Sequence, residues 1–341
     1  MSIIIDALKE HLPLIACTAL AMLVGLCFQV SIDLRGESVF TPQFLWEFTL
    51  VFIAAPFVIG FIRVSKALIE KKSAEEIGAI IKGIFSLSML ARVVICCACV
   101  FMVVTVFGAV KSLIGSHLTP HGHDYLFIAI ERFIHGGRLP HEYFDFVYDN
   151  PKWLHQIDFL YWIWFMLMYI FLAWAVFQPK DTPGRMQYIV SFSLCWTVIG
   201  SILAAAGASA GPIFWSYYLP PPNPYQDLLA TIDAISAQDH LFRTSFRDMM
   251  LSMKFNDKMI DMNGPAALPS VHVAMATLFA IHSYKYWPML WPFMAVYAII
   301  IQLGSFLLSW HYAIDGYVGA AAMVLIWWSA GKYFDRKKAT A

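Results

Sequence analysis

LPSVHVAMATLFAIHSYKYWPMLWPFMAVYAIIIQLGSFLLSWHYAIDG, residues 268–316, holds two apolar runs, 268–283 and 287–308, with titratable residues near their ends. Each run approaches the roughly 20 residues that a helix needs to cross a bilayer core about 30 Å thick. His272 opens the first run and His311 follows the second. A chain that crosses and returns therefore brings both histidines to one membrane face, although 39 positions separate them. In Ser309-Trp310-His311-Tyr312-Ala313-Ile314-Asp315-Gly316, Asp315 follows His311 by four residues, the spacing at which helical side chains meet. A carboxylate placed there accepts the Nδ1 proton of the imidazole and leaves Nε2 bare as a nucleophile or base.

The rest of the chain has the same apolar character. With 60% hydrophobic residues, 13% charged residues and 27 Phe, it is unsuited to a soluble surface and reads as an integral membrane protein. Further apolar runs occupy 12–32, 43–62, 84–110, 157–177, 188–206 and 313–329. Together they predict an all-α polytopic bundle of eight transmembrane helices. The first run is read as a retained anchor, because Asp6, Lys9 and Glu10 make a poor cationic leader and no small-residue cleavage site follows. Residues 1–83 are read as an amino-terminal helix pair with a cytoplasmic connector, and 84–341 as one membrane domain holding both histidine motifs.

Orientation follows from the distribution of Lys and Arg, since cytoplasmic loops carry the excess. Eight spans put both termini on one side. That side holds Lys9, Arg63, Lys66, Lys71, Lys72, Lys82, Lys180, Arg185, Lys285, Lys332, Arg336, Lys337 and Lys338, thirteen in all. The other side holds nine, spread over two long loops, and Arg92 falls inside the third run. The termini are expected in the cytoplasm and both histidine motifs on the extracytoplasmic face, periplasmic or luminal according to the source.

The 23 basic and 23 acidic residues balance, and the basic ones are dispersed along membrane flanks, so charge gives no argument for nucleic acid. The expected partner on composition is the bilayer, with the oligomeric state undetermined. The six cysteines all fall in apolar runs and read as packing or lipid-facing residues. His117, His121, His123, His135, His141 and His155 lack a carboxylate or cysteine scaffold, so neither a metal nor another cofactor is expected. His282 is expected at the membrane interface opposite the motifs.

Two stretches outside the spans are expected to share the face of the motifs. In 111–156, the segment from Asp124 to His135 is amphipathic and ends at Gly136-Gly137, a helix-stop signal. It reads either as an interfacial entrance wall for a lipid or as a structural cap over the bundle. In 207–264 the cluster Pro220-Pro221-Pro222-Asn223-Pro224 takes the chain out of the membrane. A helix over 239–254 would then carry Arg243, Arg247 and Lys254 on one face, which suits either a phosphate or plain solvation.

These residues assemble into one chemistry. Ser270 and the free amides of the helix start at Pro269 can hold an anion, with Arg243, Arg247 and Lys254 as further candidate phosphate ligands. A phosphorus placed there lies between His311 as nucleophile, with Asp315 fixing its tautomer, and His272 as acid and base.

At these residues the chain resembles the type 2 phosphatidic acid phosphatase superfamily, and within it the branch containing fungal inositol phosphorylceramide synthase. The resemblance is carried by Gly264-Pro-Ala-Ala-Leu-Pro269-Ser270-Val-His272-Val-Ala274 and by His311-Tyr312-Ala-Ile-Asp315 followed by Gly319. A weaker likeness runs from Asp124 through Gly136-Gly137 to Asp158 and Tyr161. The resemblance implies a phosphohistidine at His311, Asp315 as its partner, an acid/base histidine at His272 and a phospholipid or sphingolipid substrate as the binding partner. Phosphatases of the superfamily usually carry Lys-x6-Arg-Pro before the Ser-x-His element, and that string is absent. Arg247 and Lys254 have its spacing with the residue types reversed. The usual Ser-Gly-His is Ser270-Val271-His272 here, and both departures favour the synthase-like branch.

The expected function is transfer of a phospho-headgroup from a lipid to a lipid or polyol hydroxyl. The alternatives are a lipid phosphate phosphatase using water and a proton-coupled transporter with an intramembrane His–Asp relay. Against the transporter, the ionisable residues gather at one face, and no pair of broken helices repeats between halves.

Overall fold

A computed structural model describes residues 2–32, 42–119, 122–255 and 267–339 and, for side chains, residues 2–28, 52–119, 122–251 and 267–337. Every regular element among them is helical. At the amino terminus α1 (Ser2–Glu10) and α2 (Leu12–Ile32) meet at a bend of 66°. The chain continues through α3 (Pro42–Ile69), α4 (Ala74–Ile84) and α5 (Leu87–Leu113). Outside the spans comes α6 (Asp124–Ile134), followed by α7 (Pro151–Val176) and α8 (Arg185–Leu194). Then α9 (Gln226–Gln238) and α10 (Phe242–Phe255) lead into α11 (Val271–Tyr286), α12 (Trp291–Leu307) and α13 (Ala313–Ala339).

Local sequence sets the helix ends. Ser73 and Glu76 form a reciprocal capping box at α4, and Ser86 accepts from the Met89 amide at α5. Asn150 caps α7, whose first residue is Pro151, the position where a missing N–H costs nothing. α6 stops just before Gly136 and Gly137, both with positive φ (65° and 91°).

All eight apolar runs are largely helical. Among the described residues five helices are long and apolar enough to cross a membrane, or six if α1 and α2 form one bent span, so a count of eight is not confirmed. The difference has a length cause. α11 has 16 residues and α12 has 17, about 24 and 26 Å at 1.5 Å per residue, against a core of about 30 Å. The chain is a polytopic integral membrane protein, and its central helix is one of the short ones.

α11 lies between α12 and α13, while α7 packs on α12 and α8 on α13. α2 packs on α5 and α8, and α3 on α7. Lipid tails are as apolar as leucine, so such contacts rest on close fit rather than on water exclusion. Glycines mark the tightest approaches. A Cβ on Gly319 of α13 would lie 2.6 Å from the Ser270 carbonyl oxygen, and one on Gly200 would lie 2.7 Å from the Phe107 ring. Phe57 and Phe61 of α3 and Ile299 of α12 are exposed, the surface a bilayer would cover.

α5 and α8 each pass into a π-helical stretch, Ile114–Leu118 and Cys195–Leu203. Thr119 Oγ1 donates to Ile114 O and Ser201 Oγ to Trp196 O, each five residues back, which satisfies carbonyls of the widened turns. Among the described residues no disulfide forms: Cys96, Cys99 and Cys195 are buried and Cys27 is exposed. His282 departs from its expected place. It is 4% exposed, inside a box of Tyr188, Tyr286, Trp287 and Trp327. It sits in the last turns of α11, where α8 and α13 close over it.

Candidate active site

The starts of α11 and α13 meet head to head. The Ser270 amide donates to the Asp315 carbonyl at 2.9 Å, a contact that only a glycine at 319 leaves room for. Ser270 Oγ accepts from the Val273 amide at 3.4 Å, capping α11. In the first turn of α13, Asp315 Oδ2 accepts from the Tyr312 amide at 3.0 Å and lies 3.3 Å from His311 Nδ1. His311 Nδ1 also lies 2.8 Å from the Ala267 carbonyl oxygen. Two acceptors at Nδ1 place the proton there and leave Nε2 free. Asp315 is fully buried behind His311.

His311 and His272 line one cavity of about 220 Å³, their ring centroids 6.3 Å apart. His272 is held among aromatic rings. Tyr161 stacks on it at 4.8 Å and 19°, the Trp164 centroid is 4.2 Å away, and Trp164 Nε1 donates to the His272 carbonyl at 3.0 Å. Ten aromatic side chains line the space, among them Phe107, Trp196, Phe246 and Trp310. The second π-helical segment borders it through Trp196 and Gly200, while Phe107 and Lys111 come from α5.

Two cationic side chains reach the cavity, Lys111 and Arg243. Lys111 is the residue that sequence reasoning missed. Position 111 opens the 111–156 stretch that the sequence places outside the spans, yet Lys111 occupies the last turn of α5 with its side chain on the cavity wall. Arg243 is buried at the start of α10. Its Nη1 donates to Asp233 at 2.8 Å, Nη2 to Ser309 Oγ at 2.8 Å and Nε to the Leu308 carbonyl at 3.2 Å. Burial, and Arg247 beside it, lower its pKa to about 10, so it stays charged near neutrality. Its bonds fix the loop before His311, where Ser309 adopts φ 62°, a left-handed conformation that costs a non-glycine residue energy and needs such support.

The candidate phosphate ligands thus separate. Arg243 lines the cavity; Ser270 and Arg247 do not, Ser270 capping α11 and Arg247 pairing with Asp233 and Asp248. The Lys254 side chain lies outside the described residues, as do His121 and Gly264 to Ala266 of the first motif.

Other acids near the site cap helices and loops. Asp124, fully buried, accepts from the amides of Ala210 and Gly211 at 3.0 Å each and from Tyr312 Oη at 2.7 Å. Tyr312 is therefore a packing residue tied to α6. Glu131, two turns along the same face of α6, accepts from the Ala313 and Ile314 amides at the start of α13. Burial, with Asp315 nearby, pushes its pKa up to about 8. Asp158 does the same work for α10, accepting from the Phe242 and Arg243 amides at 2.6 and 3.0 Å. Among the described residues no three His, Cys, Asp or Glu side chains converge as a metal site.

The sequence model of the PAP2 superfamily matches residues 126–329, a span that takes in both histidine motifs. The chain belongs to the PAP2 superfamily. It is therefore a membrane phosphatase or phosphotransferase acting on a lipid phosphoester. No curated protein and no solved structure matches it. The PAP2 match begins within α6 and ends in α13, so Lys111 precedes it.

Proposed function

We propose that this PAP2 protein transfers a phospho-headgroup from a lipid to a lipid or polyol hydroxyl through a phosphohistidine, as an inositol phosphorylceramide synthase-like enzyme does. The observation that carries the reading is His311, its Nδ1 held by Ala267 O and Asp315 and its ring facing His272 across one cavity. His311 Nε2 attacks phosphorus, the N–P bond forms, and the bond to the leaving oxygen breaks as that oxygen takes a proton from His272. In the second half, His272 removes the proton of the acceptor hydroxyl. The acceptor oxygen then bonds to phosphorus and His311 is released. Lys111 and Arg243 balance charge on the non-bridging oxygens.

Transfer is preferred to hydrolysis because ten aromatic side chains leave the cavity wall mostly apolar, which suits a lipid acceptor and disfavours bulk water. Purified protein given labelled phospholipid, with and without a ceramide-like or inositol acceptor, tests this. Product formed only with acceptor supports transfer, whereas phosphate release at an equal rate without acceptor replaces it with a phosphatase.

The cavity face is assigned to the extracytoplasmic side and the termini to the cytoplasm, from the excess of Lys and Arg at the terminal side. Reactivity of a cysteine introduced at exposed Lys180 toward an impermeant reagent in intact cells would reverse the assignment. Residues 1–83 are assigned as a unit added to the catalytic domain at 84–341. A protease site placed at the exposed Lys71–Lys72 turn in the full chain checks it, since loss of turnover on cleavage would argue against the division.

A further inference from the structure

The bundle end opposite the cavity holds a second concentration of positive charge that the histidine chemistry does not use. Arg63 of α3, Arg92 in the second turn of α5 and Arg185 at the start of α8 gather around the carboxyl end of α7. Arg185 donates from Nε to Ala175 O at 3.1 Å and from Nη2 to Val176 O at 3.4 Å. Arg63 Nη2 donates to Phe177 O at 3.0 Å and to Gln178 Oε1 at 3.1 Å. Arg92 lies within electrostatic range of Arg185, Glu10 and Asp181. Of the two acids, Glu10 is already engaged by Arg185, and Asp181 is exposed.

Arg92 turns Nε and Nη2 to its own helix, at Ser88 O (3.4 Å) and Met89 Sδ (3.7 Å). Arg92 Nη1 and Gln178 Nε2 are both buried and make no hydrogen bond. Buried donors left without partners are costly, and those on a guanidinium are best met by an anion. The flanks say which kind. Phe57 and Phe61 of α3 and Leu87 and Leu90 of α5 are exposed beside the arginines, and the Phe57 ring meets that of Phe85, just past the end of α4, at 5.7 Å. An anionic head over acyl chains fits this juxtaposition. Arg92 and Lys111 stand nineteen positions apart on α5, about 28 Å of rise and close to the thickness of a bilayer core. The two ends therefore serve different membrane leaflets.

We propose that Arg63, Arg92, Arg185 and Gln178 form a binding site for the phosphate of an anionic phospholipid in the leaflet opposite the histidine cavity. Bound there, the headgroup would join α3, α5 and α7 and fasten the amino-terminal helices to the rest of the bundle.

Thermal unfolding of the full chain in neutral detergent tests this, with added phosphatidylglycerol, phosphatidylcholine or inorganic phosphate. Phosphatidylglycerol is expected to raise the midpoint by roughly 2–4 °C, with phosphatidylcholine and inorganic phosphate giving less than half of that. The rise should persist in Lys111→Met, which alters the cavity, and in Lys66→Ala, which removes an exposed charge on the same side. It should vanish in Arg92→Met and in Gln178→Leu, the second variant deciding should the first not fold. A rise that survives both substitutions, or disappears equally in Lys66→Ala, overturns the site. An equal rise from inorganic phosphate, with no further effect of the lipid, overturns the lipid assignment.

Discussion

α11 carries two histidines ten residues apart, and its two ends put them to different uses. Both lie among aromatic rings: His272 against Tyr161 and Trp164, His282 against Tyr188, Trp287 and Trp327. Ring contact is thus common to both. The difference is that His272 opens onto a cavity shared with His311, Lys111 and Arg243, whereas His282 is absent from that wall and its Nδ1 is buried without a hydrogen-bond partner. The two ends of α11 thus differ in access to a cavity and in the presence of a second titratable group, not in residue type.

The largest break in the comparison is expected at His311. His311→Ala should lower turnover at least about 10³-fold and abolish acid-labile phosphate on the protein. His272→Ala should cost about 10²–10⁴-fold but leave label trapped, because attack no longer leads to release. Label persisting in His311→Ala would place the nucleophile elsewhere.

Lys111→Met sharpens the same end. Removing one preorganised charge from a site where negative charge develops costs about 10²–10³-fold. The loss should fall mainly on kcat, since the cation acts on charge that grows along the reaction. An unchanged kcat with a raised KM would make Lys111 a plain headgroup contact.

These residues differ in how legible they were. The His311–Asp315 spacing is local, so four-residue periodicity was enough to pair them. The Ala267 carbonyl, nearer to Nδ1 than Asp315, reaches His311 from 44 residues away, and Lys111 shares the cavity with His272 although the two are far apart in sequence; no periodicity reports such contacts. The basic face of α10 was readable as a pattern. Its partner Asp233 belongs to α9, so nothing in the spacing of Arg243 and Arg247 showed that both would turn to it. The acids of α6 read as the polar side of an amphipathic helix for a similar reason, since the amides they cap stand at 210–211 and 313–314. The apolar runs were legible as helices, but 16 and 17 residues fall below a full crossing for α11 and α12.

Glu131 gives a smaller, pH-dependent effect. Its pKa is raised from the ordinary 4.5 to about 8 by burial, with Asp315 nearby, so the folded protein holds this proton more tightly than the unfolded chain. The resulting stability is fully present below about pH 4.5 and is lost as pH rises through about 8. Glu131→Gln keeps an acceptor for the α13 amides and removes the charge. The unfolding midpoint of the wild type should therefore fall more between pH 6 and 9 than that of the variant. Parallel curves would show that Glu131 does not titrate in this range.

The smallest effect belongs to His282, and it separates the two ends of α11 most directly. Phe fills a similar volume in the Tyr188, Trp287 and Trp327 box and brings no buried nitrogen lacking a partner. His282→Phe should leave kcat within about twofold, since no step of the chemistry reaches that end, and should change stability by no more than about 1–3 kcal/mol, the range associated with one unmet buried polar group. The sign is informative. A gain would mean that the native imidazole is an unsatisfied group tolerated in the packing, and a loss that it makes a compensating contact. A fall in kcat comparable to that of His272→Ala would show instead that the far end of α11 is coupled to the cavity, and the distinction between its two histidines would fail.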